Sequence, residues 1–226
     1  MGAWDKAQAE AEFLRALELN PRSIQARAWY AFNYLQLSAG RLDEGVAQAK
    51  LALESDPLSS YANTVYGMTC VASHRHPEAV HAARRAVELD SESFLAWFCL
   101  QGALHLHGEF EESVAVAETA LAMSGRHCWS MLLLTVTLAD WHKPGEAYAV
   151  YAEMLARARC QYVPPAVLAV AAFAAGRKRE AIRHAREALE IRDPNCQVSF
   201  TGHNPYGAQL CAYSRFRNLL TEFAFK

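Results

Sequence analysis

Charge of one sign is the first thing this sequence lacks: 22 Lys and Arg stand against 24 Asp and Glu in 226 residues, a formal net charge of −2. So small an imbalance provides no global field for nucleic acid or an anionic membrane, and neither is expected as a partner. Long apolar runs are missing as well, because no window approaches the ~18 consecutive apolar residues of a membrane span. The opening Met1-Gly2-Ala3-Trp4-Asp5 has no basic leader and no apolar secretory stretch, and Lys6 stands where a myristoylation signal needs Ser or Thr. A cytoplasmic location is therefore expected. The cysteines Cys70, Cys99, Cys128, Cys160, Cys196 and Cys211 form no CxxC pair. Scattered cysteines on apolar helix faces behave as small hydrophobes, and they are expected to be reduced.

Chemical signatures are equally scarce. There is no GxSxG, no P-loop and no GxGxxG. Ser199, Thr201 and His203 share one loop but have no acidic partner nearby. His74, His76, His81, His105 and His107, with Cys70 close to the first of them, could suggest a metal site, but zinc needs three or four converging ligands, typically with short-spaced pairs. Histidines at turn positions are explained as helix enders. The basic run Arg177-Lys178-Arg179 with Arg183 and Arg186 is interleaved with Glu180, Glu187 and Glu190, as on a solvated helix face with intrahelical ion pairs. No aromatic residues alternate with it for base stacking. We therefore expect no enzyme, no cofactor and no metal.

What is present is a repeat. Gly40, His74, Gly108, His142 and Gly176 follow one another at a constant spacing of 34 residues. Each closes an apolar stretch and precedes an acidic-then-small step, such as Asp43-Glu44-Gly45, Glu111-Glu112-Ser113 or Arg179-Glu180-Ala181. Seven residues beyond the small residue stands Ala52, Ala86, Ala120, Met154 or Ala188. A helix that ends in a left-handed residue favours glycine there, with histidine or asparagine tolerated. Acidic residues then suit the start of the next helix, where the macrodipole favours them, and Pro77 and Pro144 suit its first turn. Each period predicts a helix–turn–helix whose second helix packs closely through small side chains.

Ala28-Trp29-Tyr30 with Gly40, Glu44 and Ala52-Leu53-Glu54-Ser55-Asp56-Pro57, Ala96-Trp97 with Leu100 and Gly108-Glu109-Phe110, and Ala181 with Ala188-Leu189-Glu190 carry a specific resemblance. In period and signature the chain resembles the tetratricopeptide repeat family. That resemblance implies an all-α, right-handed α-solenoid (superhelix) of helix–turn–helix repeats. Five repeats are placed at 26–59, 60–93, 94–127, 128–161 and 162–194. Residues 1–25 are read as the second helix of a partial repeat plus a link two residues longer than the period predicts. Within it Trp4 to Pro21 is helical, with Ala9, Phe13 and Ala16 on the packing face. Residues 195–226 are read as a loop and capping helix. An array opening on a second helix leaves a face to be covered. The reading favoured is a piece of a longer protein, the alternative being that the first helix is the cap. The run from Tyr162 to Pro194 and the ending Ser214-Arg215-Phe216-Arg217-Asn218-Leu219-Leu220 are similar to the closing segment of bacterial regulatory proteins, in which such an array follows a winged-helix, cyclase or kinase domain. Ser214 stands where those proteins have proline.

In that family, positions 2, 5, 9 and 12 of each repeat face the ligand groove. The resemblance thereby implies a protein- or peptide-binding face containing Arg27, Tyr30, Tyr34, Tyr61, Met68, Phe98, His105 and Trp129. Val136, Ala139, Val170 and Phe173 take the equivalent positions further on. This lining lacks the several Lys, Arg and Asn residues of a carboxylate clamp. An amphipathic helix or apolar peptide is the expected occupant. Two readings of the aromatic stripe stay open, a binding face and a packed core; Trp29 and Trp97 are assigned to packing. The expected function is a protein–protein interaction scaffold, with the sensor or regulatory arm of a larger bacterial protein as one setting for it. Self-association, with a second copy as the partner, is the alternative, and a metal- or ligand-binding enzyme ranks last.

Overall fold

The computed structural model describes residues 6–201, 204–223 and 225, and no strand occurs among them. The chain divides into an N-terminal unit, Met1–Gly108, and a C-terminal unit, Glu109–Lys226. The first contains α1 (Lys6–Leu19), α2 (Ile24–Trp29) running directly into a π-helical segment (Tyr30–Ser38), α3 (Leu42–Ser55), α4 (Ser60–Ala72), α5 (His76–Leu89) and α6 (Phe94–His107). The second contains α7 (Phe110–Met123), α8 (Cys128–Asp140), α9 (Pro144–Arg157), α10 (Pro165–Ala174) and α11 (Lys178–Glu190). It closes with α12 (Cys196–Ser199), a 3-10 turn (Pro205–Gly207), α13 (Ala208–Ala212) and α14 (Ser214–Glu222). Trp4, read as the start of the first helix, lies outside the described residues, as does His203.

Local chemistry sets the helix ends. All five periodic enders sit at positive φ: Gly40 at 68°, His74 at 58°, Gly108 at 89°, His142 at 58° and Gly176 at 75°. In the N-terminal unit the first helices start on serine: Ser23, Ser59 and Ser93 each accept a hydrogen bond from the backbone amide three residues on, at 3.1–3.3 Å. The turn before each cap is held by Asn20, Asp56 or Asp90, whose side-chain oxygen accepts from the amide two residues later. The repeat at 162–194 begins on Pro164-Pro165 and has no such serine. There the buried Asp193 caps α10 from a distance, accepting from the Ala166 amide at 3.1 Å.

Packing explains the small residues. Gly45, Ala79, Ser113, Ala147 and Ala181 are all buried, and so are Ala52, Ala86, Ala120, Met154 and Ala188. At Gly45 even one added carbon would lie 2.4 Å from Gln36 Cγ and 2.9 Å from the Ala31 carbonyl, so the approach of α3 to the π segment requires glycine. First helices are sandwiched and read as apolar nearly all round: every residue from Pro165 to Ala172 is buried, and Met131 to Leu138 likewise. Second helices such as α11 are strongly two-faced.

The surplus in the first link is taken up within the helix. Ser23 to Gly40 spans two more residues than Ser59 to His74. A π winding holds more residues per turn than an α winding, so the extra pair adds no extra turn. The Ala39 amide accordingly bonds back to the Tyr34 carbonyl at 2.8 Å.

Candidate functional site

The first-helix positions expected to meet a ligand fall into two groups. Tyr30 and Tyr34 are buried, at 4% and 7% exposure. They pack as a stacked pair, ring centroids 5.8 Å apart, against Phe13 of α1. Their hydroxyls donate to the Glu10 carboxylate at 2.8 and 3.2 Å, and Arg41 clamps the same carboxylate while also gripping Glu44 at 2.5–2.7 Å. Arg41 first and Tyr30 second hold the Glu10 carboxyl below its ordinary value. Burial, reinforced by Glu10, pushes Tyr30 up to about 12. The expectation that these tyrosines line an open groove is therefore corrected: α1 lies over them and makes them core. His105 is buried as well. Arg27 is committed, donating to Gln48 at 2.6 Å and to the Pro21 carbonyl at 2.8 Å.

The other group stays partly exposed. In the N-terminal unit these are Tyr61, Met68 and Phe98, the last stacked on Phe94 at 6.0 Å; in the C-terminal unit it is Trp129. Trp29, expected to pack, is instead 48% exposed, sharing an exposed stripe with Gln25 and Asn33 while Ala28 and Ala31 hold the buried side. Trp97 is partly buried, its indole nitrogen donating to the Ser91 carbonyl at 2.8 Å.

Further along, Val136, Ala139, Val170 and Phe173 occupy the corresponding positions of α8 and α10, and the chain's own tail lies on them. Tyr206, Gln209 and Leu210 complete a small cavity with those side chains. Gln209 donates to Asp140 at 3.2 Å, and Tyr213 meets the Phe173 ring at 5.5 Å. Beyond this strap, α14 buries Phe216 edge-on against Phe200 at 4.9 Å. Arg186 pairs with Glu222 of α14 at 2.7 and 2.9 Å, so its partner is interhelical and not the intrahelical one expected. Arg177 does pair within its own stretch, with Glu180 at 2.7 Å.

A polar network that sequence reasoning missed lies between α9 and α11. The buried Tyr151 hydroxyl donates to Glu180 at 2.9 Å and sits 3.2 Å from His184 Nε2. Burial keeps the His184 imidazole below its ordinary pKa. Among the described residues, no group of three or more His, Cys, Asp or Glu is arranged to hold a metal ion. All six cysteines are free, and no described helix is long and apolar enough to cross a membrane.

Stacked helical hairpins with left-handed enders and alanine-lined second helices define an all-α helical-repeat protein of the α-solenoid class. The repeat is of the tetratricopeptide type, and solved structures bear this out at the level of fold. TTC0263, a thermophilic TPR protein of Thermus thermophilus, is similar over 88% of this chain and 100% of its own, with TM-score 0.63 and 19% identity. PilW, a type IV pilus biogenesis factor, matches over 96% of this chain and 91% of its own, with TM-score 0.63 and 18% identity. A tetratricopeptide repeat protein from Parabacteroides merdae matches over 97% and 78%, with TM-score 0.67 and 15% identity. No protein-family model matches the sequence, and no curated protein does.

Proposed function

We propose that this chain is a protein–protein interaction scaffold, with no catalytic role, whose first helices take up a peptide or amphipathic helix, and that it serves as the sensor or regulatory arm of a larger bacterial protein. The observation that carries this is the division among first-helix side chains. Tyr61, Met68, Phe98 and Trp129 keep part of their surface open to solvent, Tyr61 and Trp129 while also packed against their units' cores, and the small residues around them already close the hairpins. Large apolar side chains left accessible on an otherwise closed scaffold mark contact surfaces. The arm role rests on the likeness of the closing segment to those of bacterial regulators. The test is quantitative affinity capture from a native lysate with the chain and a Phe98→Ala/Trp129→Ala variant. Capture should fall with the variant while it stays folded by circular dichroism and its melting temperature drops by only a few degrees; capture that survives both substitutions contradicts the reading.

Self-association is favoured by a separate observation. The outer side of α1 leaves Leu14 46% and Leu19 72% exposed. Light scattering over a wide concentration range decides it, a monomer throughout removing this second reading.

A further inference from the structure

We propose that the strap formed by residues 205–213 is an internal ligand of the C-terminal unit's first-helix face, and that the partner engaged there is a protein segment of the same chemistry that displaces it. That chemistry is a short helix presenting two apolar side chains one turn apart, with a side-chain amide between them. The inference rests on the scaffold reading and specifies its partner.

The strap sits where a ligand is expected. Val136, Ala139, Val170 and Phe173 are the face positions of α8 and α10, and Tyr206 and Leu210, four residues apart, are set against them. Gln209, between these two, supplies the amide that donates to Asp140 at 3.2 Å. A side-chain carboxylate beside an apolar trough gives an incoming helix both a register mark and an anchor surface.

It also fits closely. With the strap in place the remaining cavity is about 20 Å³, room for roughly one water molecule and no side chain. At Gly207 a single added carbon would come 2.4 Å from the Ser199 carbonyl and 4.0 Å from Val170, so the strap backbone lies as close as a glycine permits. Nothing else can occupy the positions under the strap until it leaves.

Yet the strap is lightly held. Within it only Gly207 and Leu210 are buried, while Ala208, Gln209 and Ala212 are exposed. A five-residue helix such as α13 has little stability of its own. The element after it is fixed independently, by Phe216 and Leu219 in the core and by the Arg186–Glu222 pair. The strap can therefore open locally while α14 keeps its place.

The experiment uses the full chain and a fluorescein-labelled synthetic peptide spanning residues 204–213, its cysteine replaced by serine. Weakening the built-in competitor raises the fraction of open face, and apparent affinity rises in proportion. Leu210→Ala should tighten peptide binding at least about tenfold, and the exposed Gln209→Ala about threefold. Circular dichroism checks folding; if Leu210→Ala fails to fold, Gln209→Ala carries the test alone. Equal binding to all chains, or to none, overturns the proposal. So does a dimer that Leu210→Ala abolishes, which would mean that straps exchange between copies. If the peptide fails while lysate capture still depends on Trp129, the displacement idea falls and the scaffold reading stands. If the peptide behaves as expected and capture ignores Trp129, the strap site stands and the placing of the partner at Trp129 falls.

Discussion

The N-terminal and C-terminal units both have part of their first-helix face covered by a neighbouring stretch of the same chain, but by different chemistry. Over Tyr30 and Tyr34 the cover is α1, held by Phe13 and by a carboxylate, Glu10, gripped by two phenols and a guanidinium. Over Val136 and Val170 the cover is the strap, held by Leu210, Tyr206 and one amide–carboxylate hydrogen bond. A charge-assisted clamp depends on pH and salt, whereas an apolar latch depends on shape and buried area. The same repeat thus offers two ways to close a face, and they should come apart under different conditions.

The largest effect expected is on the anchor behind the strap. Phe216 is fully buried, and Phe216→Ala should cost about 3–5 kcal/mol, seen by hydrogen exchange as lost protection of α11 and α14. Equal loss at α3 and α4 would erase the distinction between the units. Next is Tyr34→Ala, expected to lower stability by about 2 kcal/mol or more in denaturant unfolding, because the tyrosine is core beneath α1. Unchanged stability would return it to the ligand-binding group.

A smaller, conditional effect comes from pH. The Glu10 carboxyl titrates below its ordinary 4.5 in the folded chain. Its contribution is therefore fully present above that value and is lost as pH falls through the lower, folded one. Tyr30 acts at the other end: its neutral form is favoured by the fold, so that stability is intact below 10.0 and declines as pH rises from there toward about 12. Cα and carbonyl carbon shifts of residues 7–19 should report α1 loosening in both windows while those of α13 hold; a strap that loosens first in acid contradicts the contrast. The smallest effect belongs to Phe98→Ala, about 1 kcal/mol or less in thermal unfolding, since the ring is partly exposed and stacked on Phe94.

Much of the fold can be read from residue spacing because its determinants are local. A left-handed ender needs glycine or a tolerated substitute, an alanine position needs a close neighbour, and both recur at 34 residues whatever lies elsewhere. The features that escape are set by distant parts of the chain. Nothing around Tyr30 says that α1 will lie on it, nothing around Val170 announces the strap, and Asp193 caps a helix that begins 28 residues earlier. Spacing alone misplaces Trp29 because the π winding changes which residues share a side, and that winding follows from a count across two helices. The candidate site is accordingly legible as positions but not as open surface. Of the eight residues named, Tyr61, Met68, Phe98 and Trp129 remain available, and Tyr30, Tyr34, Arg27 and His105 serve the fold.

The most direct measurement is a hydrogen-exchange footprint of the full chain with and without its captured partner. Within the C-terminal unit the account predicts added protection in the first helix α8, none in the second helix α9, and lost protection in the strap as it is displaced. Protection confined to α9, with the strap unchanged, would show that binding uses the opposite side of the hairpins and would contradict it.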